Sequence, residues 1–313
     1  MGQPMNFKEE LQKRTADAER VTMALLPEVS GYASTVMDAM CYSVGAGGKR
    51  LRPVMMQAAY ELCGGKGTVV EYFMAALEMI HNYSLVHDDL PEMDNDELRR
   101  GMPTTHIKYG AGMAVLAGDG LLNYAYETAM KAFAEAKGAE REGCIAALAL
   151  LAEKAGIYGM VGGQCLDVEA EEKGLSLTQE QILYVYENKT AALLQAALGC
   201  GAALAGTEIS GKNREDLQKA GYDLGIAFQL QDDILDIEST TEELGKPVGS
   251  DERNGKKTYV SYLGMDAAKQ EQARLSKEAA ALVRALETDG SERAEEAKEF
   301  LAELIEHLVE RRK

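Results

Sequence analysis

The chain has 313 residues, 46% hydrophobic and 27% charged, enough to bury a large core without a metal or disulfide, which excludes disorder for most of its length. Fifty-one Asp and Glu against 33 Lys and Arg leave a formal charge of −18, a sign that repels DNA, RNA and anionic lipid, so no nucleic-acid partner is expected. Five dispersed cysteines with no C-x-x-C pair argue against a disulfide framework and fit a reducing cytosol.

Early charges in residues 1–10, without an apolar segment, predict no secretory signal. Six prolines, no tryptophan, and Ala, Leu, Met and Glu at helical spacing predict an all-α protein. The first irregular feature is Gly45-Ala46-Gly47-Gly48-Lys49-Arg50-Leu51-Arg52-Pro53, which has three cations, no acid and a glycine entry. Glycine lets backbone amides approach an anion, and Arg grips phosphate oxygens bidentately. It lacks G-x-x-x-x-G-K-[ST], so a Walker nucleotide loop is not supported.

Residues 72–86 are apolar on every side, as befits a helix at the centre of a bundle. Directly after it, residues 88–97 carry six carboxylates, which repel one another unless solvated or bound to cations. Pro91 is expected to end the helix near Asp89, and a kink there would bring Asp94 back toward Asp88. His81, seven residues before Asp88, falls about 20° from it on the helical wheel and would share its cavity. His87 reads as a packed, hydrogen-bonded side chain and His307 as part of an amphipathic tail, and no zinc spacing involves either of them or His106.

Residues 191–206, interrupted by Gln195, fall short of the roughly 20 residues a membrane span needs, so no stable membrane insertion is expected. In Phe228-Gln229-Leu230-Gln231-Asp232-Asp233-Ile234-Leu235-Asp236, the residues Gln229, Asp232, Asp233 and Asp236 fall within about 100° on one helix face. That hard oxygen surface suits magnesium, which takes one or two carboxylates, keeps waters and completes its shell with phosphate oxygens. An acidic helix end is commonly only a solvated face, but both clusters here border apolar residues such as Leu85, Leu90, Leu230 and Ile234. Arg99 and Arg100 follow the first cluster, Lys246, Lys256 and Lys257 the second, and Lys189-Thr190 lie between. After Ser291, a candidate N-cap, Ala297, Phe300, Leu301, Leu304, Ile305 and Leu308 form one stripe, with Arg311, Arg312 and Lys313 at the helix C-terminus. The loops at 63–67, 172–174 and 245–249 are too short for interdomain linkers, so one all-α bundle spanning 1–313 is expected, with a cavity between two Asp-rich helices.

In order along the chain, Gly48-Lys49-Arg50-Leu51-Arg52-Pro53, the D-D-x-x-x-x-D from Asp88 to Asp94, Leu98-Arg99-Arg100-Gly101, Gly163-Gln164, Lys189-Thr190, Gln229 through Asp236 and the Gly-Lys-x-Thr of Gly255 to Thr258 resemble the trans-prenyltransferases, the polyprenyl diphosphate synthases. The likeness runs from about residue 45 to 262. It implies that Asp88, Asp94 and Asp232, with Asp89, Asp233 and Asp236 in support, bind three Mg²⁺ per site. It implies that Arg99, Lys189 and Lys256 contact an allylic diphosphate and that Lys246 helps close the site. Lys49, Arg52, His81 and Arg100 would hold isopentenyl diphosphate, and Thr190 and Gln229 would turn oxygen dipoles toward a cationic intermediate.

An aromatic at the place of Tyr83 resembles the C15 pattern of bacterial-type members, although the helical wheel puts Ser84 about 40° from Asp88 and Tyr83 about 140°, so geometry alone favours Ser84 as the cavity floor. The implied activity is Mg²⁺-dependent condensation of isopentenyl diphosphate with dimethylallyl or geranyl diphosphate to a C15 diphosphate, by a cytoplasmic homodimer. The alternatives are a geranylgeranyl or longer-chain synthase and a non-catalytic helical partner subunit.

Overall fold

In a computed structural model, the structure describes residues 6–238 and 257–310. Lys246, Lys256, the 245–249 loop and Arg311, Arg312 and Lys313 lie outside them. The described residues form helices almost throughout. They are α1 (Phe7–Ala24), α2 (Ser34–Gly45), α3 (Leu51–Leu62), α4 (Val69–Asp88), α5 (Thr105–Tyr109), α6 (Ala111–Glu135), α7 (Ala139–Ala155), α8 (Met160–Lys173), α9 (Gln179–Val185), α10 (Ala192–Ala205), α11 (Glu208–Glu238), α12 (Tyr259–Leu263), α13 (Met265–Ala285) and α14 (Glu292–Glu310).

Helix α10 is the axis of the bundle. Residues 192–204 are buried on every side, and α3, α4, α7 and α11 all pack against it. Its many Ala and Gly residues permit that close approach, since no long side chain holds the neighbouring helices off. Helix α4 is the second central element, packed on α6, α3 and α1, and its run from Phe73 to Ile80, apolar but for Glu78, is buried. The tail stripe behaves as its spacing predicts: Ala297, Phe300, Leu301, Leu304 and Ile305 are fully buried, and Ser291 Oγ accepts the Ala294 N–H. One continuous apolar core runs from Ala18 to Val309.

Three local departures from plain α-helix matter. Leu98–Arg99 and Met102–Pro103 form a small antiparallel hairpin, turned by Arg100 and Gly101 at φ +55° and +78°. Tyr186–Ala191 is a π-helical turn between α9 and α10. The stretch Ala139–Lys173, with a mean hydropathy of 1.6 over its most apolar window, is long and apolar enough to cross a membrane by length and composition, unlike residues 191–206. Gly156 and Gly159 break it into helices of 17 and 14 residues, each shorter than the roughly 20 a span needs.

Candidate active site

Helix α4 ends at Asp88 because Pro91 cannot continue it, and the chain then turns sharply enough for the Asp94 N–H to donate to the Asp88 carbonyl at 2.8 Å. This turn returns Asp94 to the helix end, so the kink that the sequence requires is present. Burial, with Asp94 beside it and against the pull of Lys189, pushes the Asp88 carboxyl up to about 6. Burial likewise raises the Asp89 and Asp94 carboxyls.

Beside Asp88 opens a cavity of about 1060 Å³, whose walls come from α4, α6, α8, the π-turn and α10. His81, Tyr83, Ser84, Asp88, Lys189 and Thr190 all line it. Tyr83 is 6% exposed, and burial raises its phenol to about 12. Ser84 turns its hydroxyl back onto the His81 carbonyl at 2.9 Å, and Tyr83 and Ser84 line the cavity together.

Helix α8 organises the opposite wall through residues that carry no motif of charge. Gln164 Nε2 donates to Asp88 Oδ1 at 2.9 Å, and its own carbonyl oxygen is buried without a partner. Lys189 Nζ donates to Asp167 Oδ2 at 2.6 Å, and Asp167 is 7% exposed. A Cβ on Gly163 would lie 2.2 Å from the Lys189 backbone nitrogen, so only glycine lets α8 lie against the π-turn. The extra residue of that turn re-aims Lys189 and Thr190 relative to a regular helix. Thr190 Oγ1 donates to Gln229 Oε1, which ties the π-turn to the second acidic motif. Tyr186 donates to Asp233, and Asp236 is 8% exposed, so two of the α11 carboxylates are drawn into the bundle. Helices α4 and α11 share α10 as a neighbour.

Arg99, expected beside the allylic diphosphate, is clamped on Asp89, with Nε at 2.8 and 2.9 Å from its two oxygens, and it does not line the large cavity. Burial opposes its charge, yet the Asp89 hydrogen bonds outweigh that and raise its pKa.

A second cavity of about 440 Å³ lies on the far side of His81 and Arg52, both of which also line the first. Lys49, Arg52, His81 and Arg100 gather here, the four residues grouped by resemblance. Its one lining carboxylate, Glu78, is engaged by Arg50 at 2.6 Å and by Asn82 at 3.2 Å. Arg50 also binds Glu19 and the Val44 carbonyl, so the second cation of the glycine-rich motif braces the fold. Arg52 Nε is buried with no hydrogen-bond partner among the described residues. Burial and then Arg100 depress its pKa against the pull of Glu78, and burial together with Arg52 and Arg100 holds His81 well below the usual imidazole value. Buried cations that disfavour one another's charge in this way are suited to an anion.

Among the described residues no three carboxylate, imidazole or thiol groups converge as a closed metal cage. The donors present are hard oxygens around an open cavity. That set suits an ion that shares its shell between one or two carboxylates and phosphate oxygens.

An apolar chamber lined in part by carboxylates meets a basic chamber at His81 and Arg52, an arrangement able to take two anionic ligands in a helical protein. The sequence matches the model of the Polyprenyl synthetase family over residues 33–302, and the chain belongs to that family. It is 41% identical over 267 residues to a farnesyl diphosphate synthase of Geobacillus stearothermophilus, covering 85% of this chain and 86% of that one. It is 43% identical over 236 residues to a geranylgeranyl diphosphate synthase of Cyanophora paradoxa, covering 75% and 77%. The solved geranyltransferase of Helicobacter pylori, complexed with magnesium and isoprenyl diphosphate, superposes with a TM-score of 0.79 at 29% identity, over 99% of this chain and 98% of that one.

Sequence reasoning did not single out Asp167, Tyr186 or the π-turn, and it knew Gln164 only through resemblance. The available signal was spacing: Gln164 and Asp167 are three residues apart, one turn of α8, and so face the same wall.

Proposed function

We propose that this chain is a farnesyl diphosphate synthase acting as one domain over 1–313. It condenses isopentenyl diphosphate with dimethylallyl or geranyl diphosphate. The observation that carries the reading is the pair of chambers meeting at His81 and Arg52, one apolar and acid-mouthed, the other basic.

The allylic chain fits the large apolar cavity, its diphosphate at the mouth near Lys189 and Arg99, with Lys256 and Lys246 as further contacts. Isopentenyl diphosphate fits the basic chamber, held by Lys49, Arg52, His81 and Arg100. Asp88, Asp94 and Asp232, with Asp89, Asp233 and Asp236 in support, would hold Mg²⁺, three ions per site, which would supply positive charge to the departing pyrophosphate. When the allylic C–O bond breaks, its electron pair leaves with pyrophosphate, and Lys189 and Arg99 share the developing negative charge. Thr190 and Gln229 turn oxygen dipoles toward the allylic cation, and the apolar walls exclude water that would quench it. The isopentenyl double bond supplies the electrons of the new C–C bond. Pyrophosphate oxygen takes the proton released as the product double bond forms, so no protein base is required.

Exposed apolar Leu116, Met130, Ile145, Ile157 and Tyr158 on α6, α7 and the turn before α8 support a homodimer that covers them. The test of the activity is incubation with isopentenyl and geranyl diphosphates plus Mg²⁺ and measurement of product length. A C15 diphosphate is expected; a C20 product would favour the geranylgeranyl reading, and no elongated diphosphate would sink both.

A further inference from the structure

Tyr83, the aromatic that the resemblance places at the cavity floor, does not stand alone. His87, one turn further along α4, sets its imidazole edge-on to the phenol, with ring centroids 5.8 Å apart and an interplanar angle of 80°. The far side of the imidazole is keyed into α6. His87 Nε2 lies 3.2 Å from the Val115 carbonyl oxygen, which makes Nε2–H the donor and fixes the tautomer. A Cβ built on Gly118 would fall 2.0 Å from Nε2 and 2.3 Å from Cδ2, so the ring occupies a niche that exists only because residue 118 is glycine. His87, Tyr83 and Val115 all line the large cavity.

From this geometry we propose that His87 is a positioning residue for product length. Locked between α4 and α6 at Gly118, it holds the Tyr83 phenol across the cavity and so limits how far the growing chain extends. The inference rests on the prenyl-elongating function proposed above. A phenol has two soft torsions, and without a neighbour on its flank it can swing aside when an isoprenoid tail presses on it. With the imidazole seated in the Gly118 niche, a swing of the phenol onto that flank meets a ring with little room to move. The histidine next to the first aspartate therefore acts through Tyr83, whereas its helical neighbour Asp88 acts on the diphosphate.

The test compares chain lengths made by the full-length wild type, His87→Ala, Tyr83→Ala and the double variant, with isopentenyl and geranyl diphosphates and Mg²⁺. In His87→Ala the ratio of the next-longer product to the wild-type product should rise at least about tenfold, the discrimination carried by one well-packed steric contact. The double variant should match Tyr83→Ala alone, because His87 works through that ring. An unchanged ratio in His87→Ala overturns the proposal, as does a double variant whose shift is the sum of the two singles. Gly118→Ala, which evicts the imidazole from its niche, should reproduce the lengthening, with retention of helical circular dichroism confirming its fold; a folded Gly118→Ala of wild-type product length counts against the proposal. A wild type whose product is not C15 refutes the chain-length assignment, while the ratio between variant and wild type still decides the role of His87.

Discussion

In the basic chamber, Arg52 and His81 are held among other cations, their charges disfavoured first by burial, and the single carboxylate nearby is engaged by Arg50 and Asn82. Around the acidic motif the opposite holds: Arg99 lies on Asp89 and, in the apolar chamber, Lys189 on Asp167, each within hydrogen-bond distance. The difference teaches how a chain of formal charge −18 can bind two diphosphates. On the proposed function, one chamber takes its anion on Arg52, His81 and their neighbouring cations, its one lining carboxylate being engaged by Arg50 and Asn82. The other keeps its cations paired and, on the proposed function, reverses its local sign only when metal arrives with substrate.

The largest effect that would break this contrast is Asp88→Ala. With Mg²⁺ and both diphosphates, turnover should fall by at least about a thousandfold, as expected when a group organising transition-state charge is lost. Far-UV circular dichroism should retain the helical signal, because Asp88 lies at the end of α4 and the core does not depend on it. Near-normal turnover would show that the acid mouth is only a solvated helix end.

Arg52→Ala strikes the other chamber and should raise the KM for isopentenyl diphosphate by roughly ten- to a hundredfold, the loss of about 1.5–3 kcal/mol of charge-assisted hydrogen bonding. Steady-state kinetics with each substrate varied in turn should leave the KM for geranyl diphosphate within a fewfold of wild type. A larger effect on the allylic substrate would reverse the assignment of the two chambers.

The smallest effect sharpens the electrostatic half of the comparison. His81 is held neutral in the fold, well below its ordinary pKa, whereas an unfolded imidazole takes a proton below about pH 6.5. The unfolded state then binds more protons, so this histidine lowers stability as pH falls through that value. Asp88, raised from 3.8 to about 6, acts in the opposite sense between those values and is common to both proteins in a comparison with His81→Gln. Urea midpoints at pH 7 and pH 5 should therefore show a smaller loss on acidification in His81→Gln than in wild type. Equal losses would mean that His81 is protonated in the fold.

Much of the site was legible as linear pattern. The two carboxylate motifs, the glycine-rich cationic loop and the helix end at Pro91 are consequences of residue type at short spacing, where torsional and Coulombic rules act locally. The tail helix was legible for the same reason, its buried stripe following from period alone. The engagement of Arg50 was not, because Glu19 and Glu78 lie 31 and 28 residues away in sequence. Nor was the Ser84 hydroxyl's bond to its own helix, since an ideal wheel gives angles and not hydrogen bonds.

By itself the sequence determined the helical class, the break after Asp88 and the residues able to meet metal and phosphate, since these depend on hydrophobic period, proline geometry and charge. Only the tertiary structure decided which carboxylate each cation takes, where Gln164 and Asp167 meet the motifs, and how Gly163 and Gly118 admit a neighbouring element. Those outcomes depend on close approach between segments distant along the chain, a property of packing that no local pattern encodes.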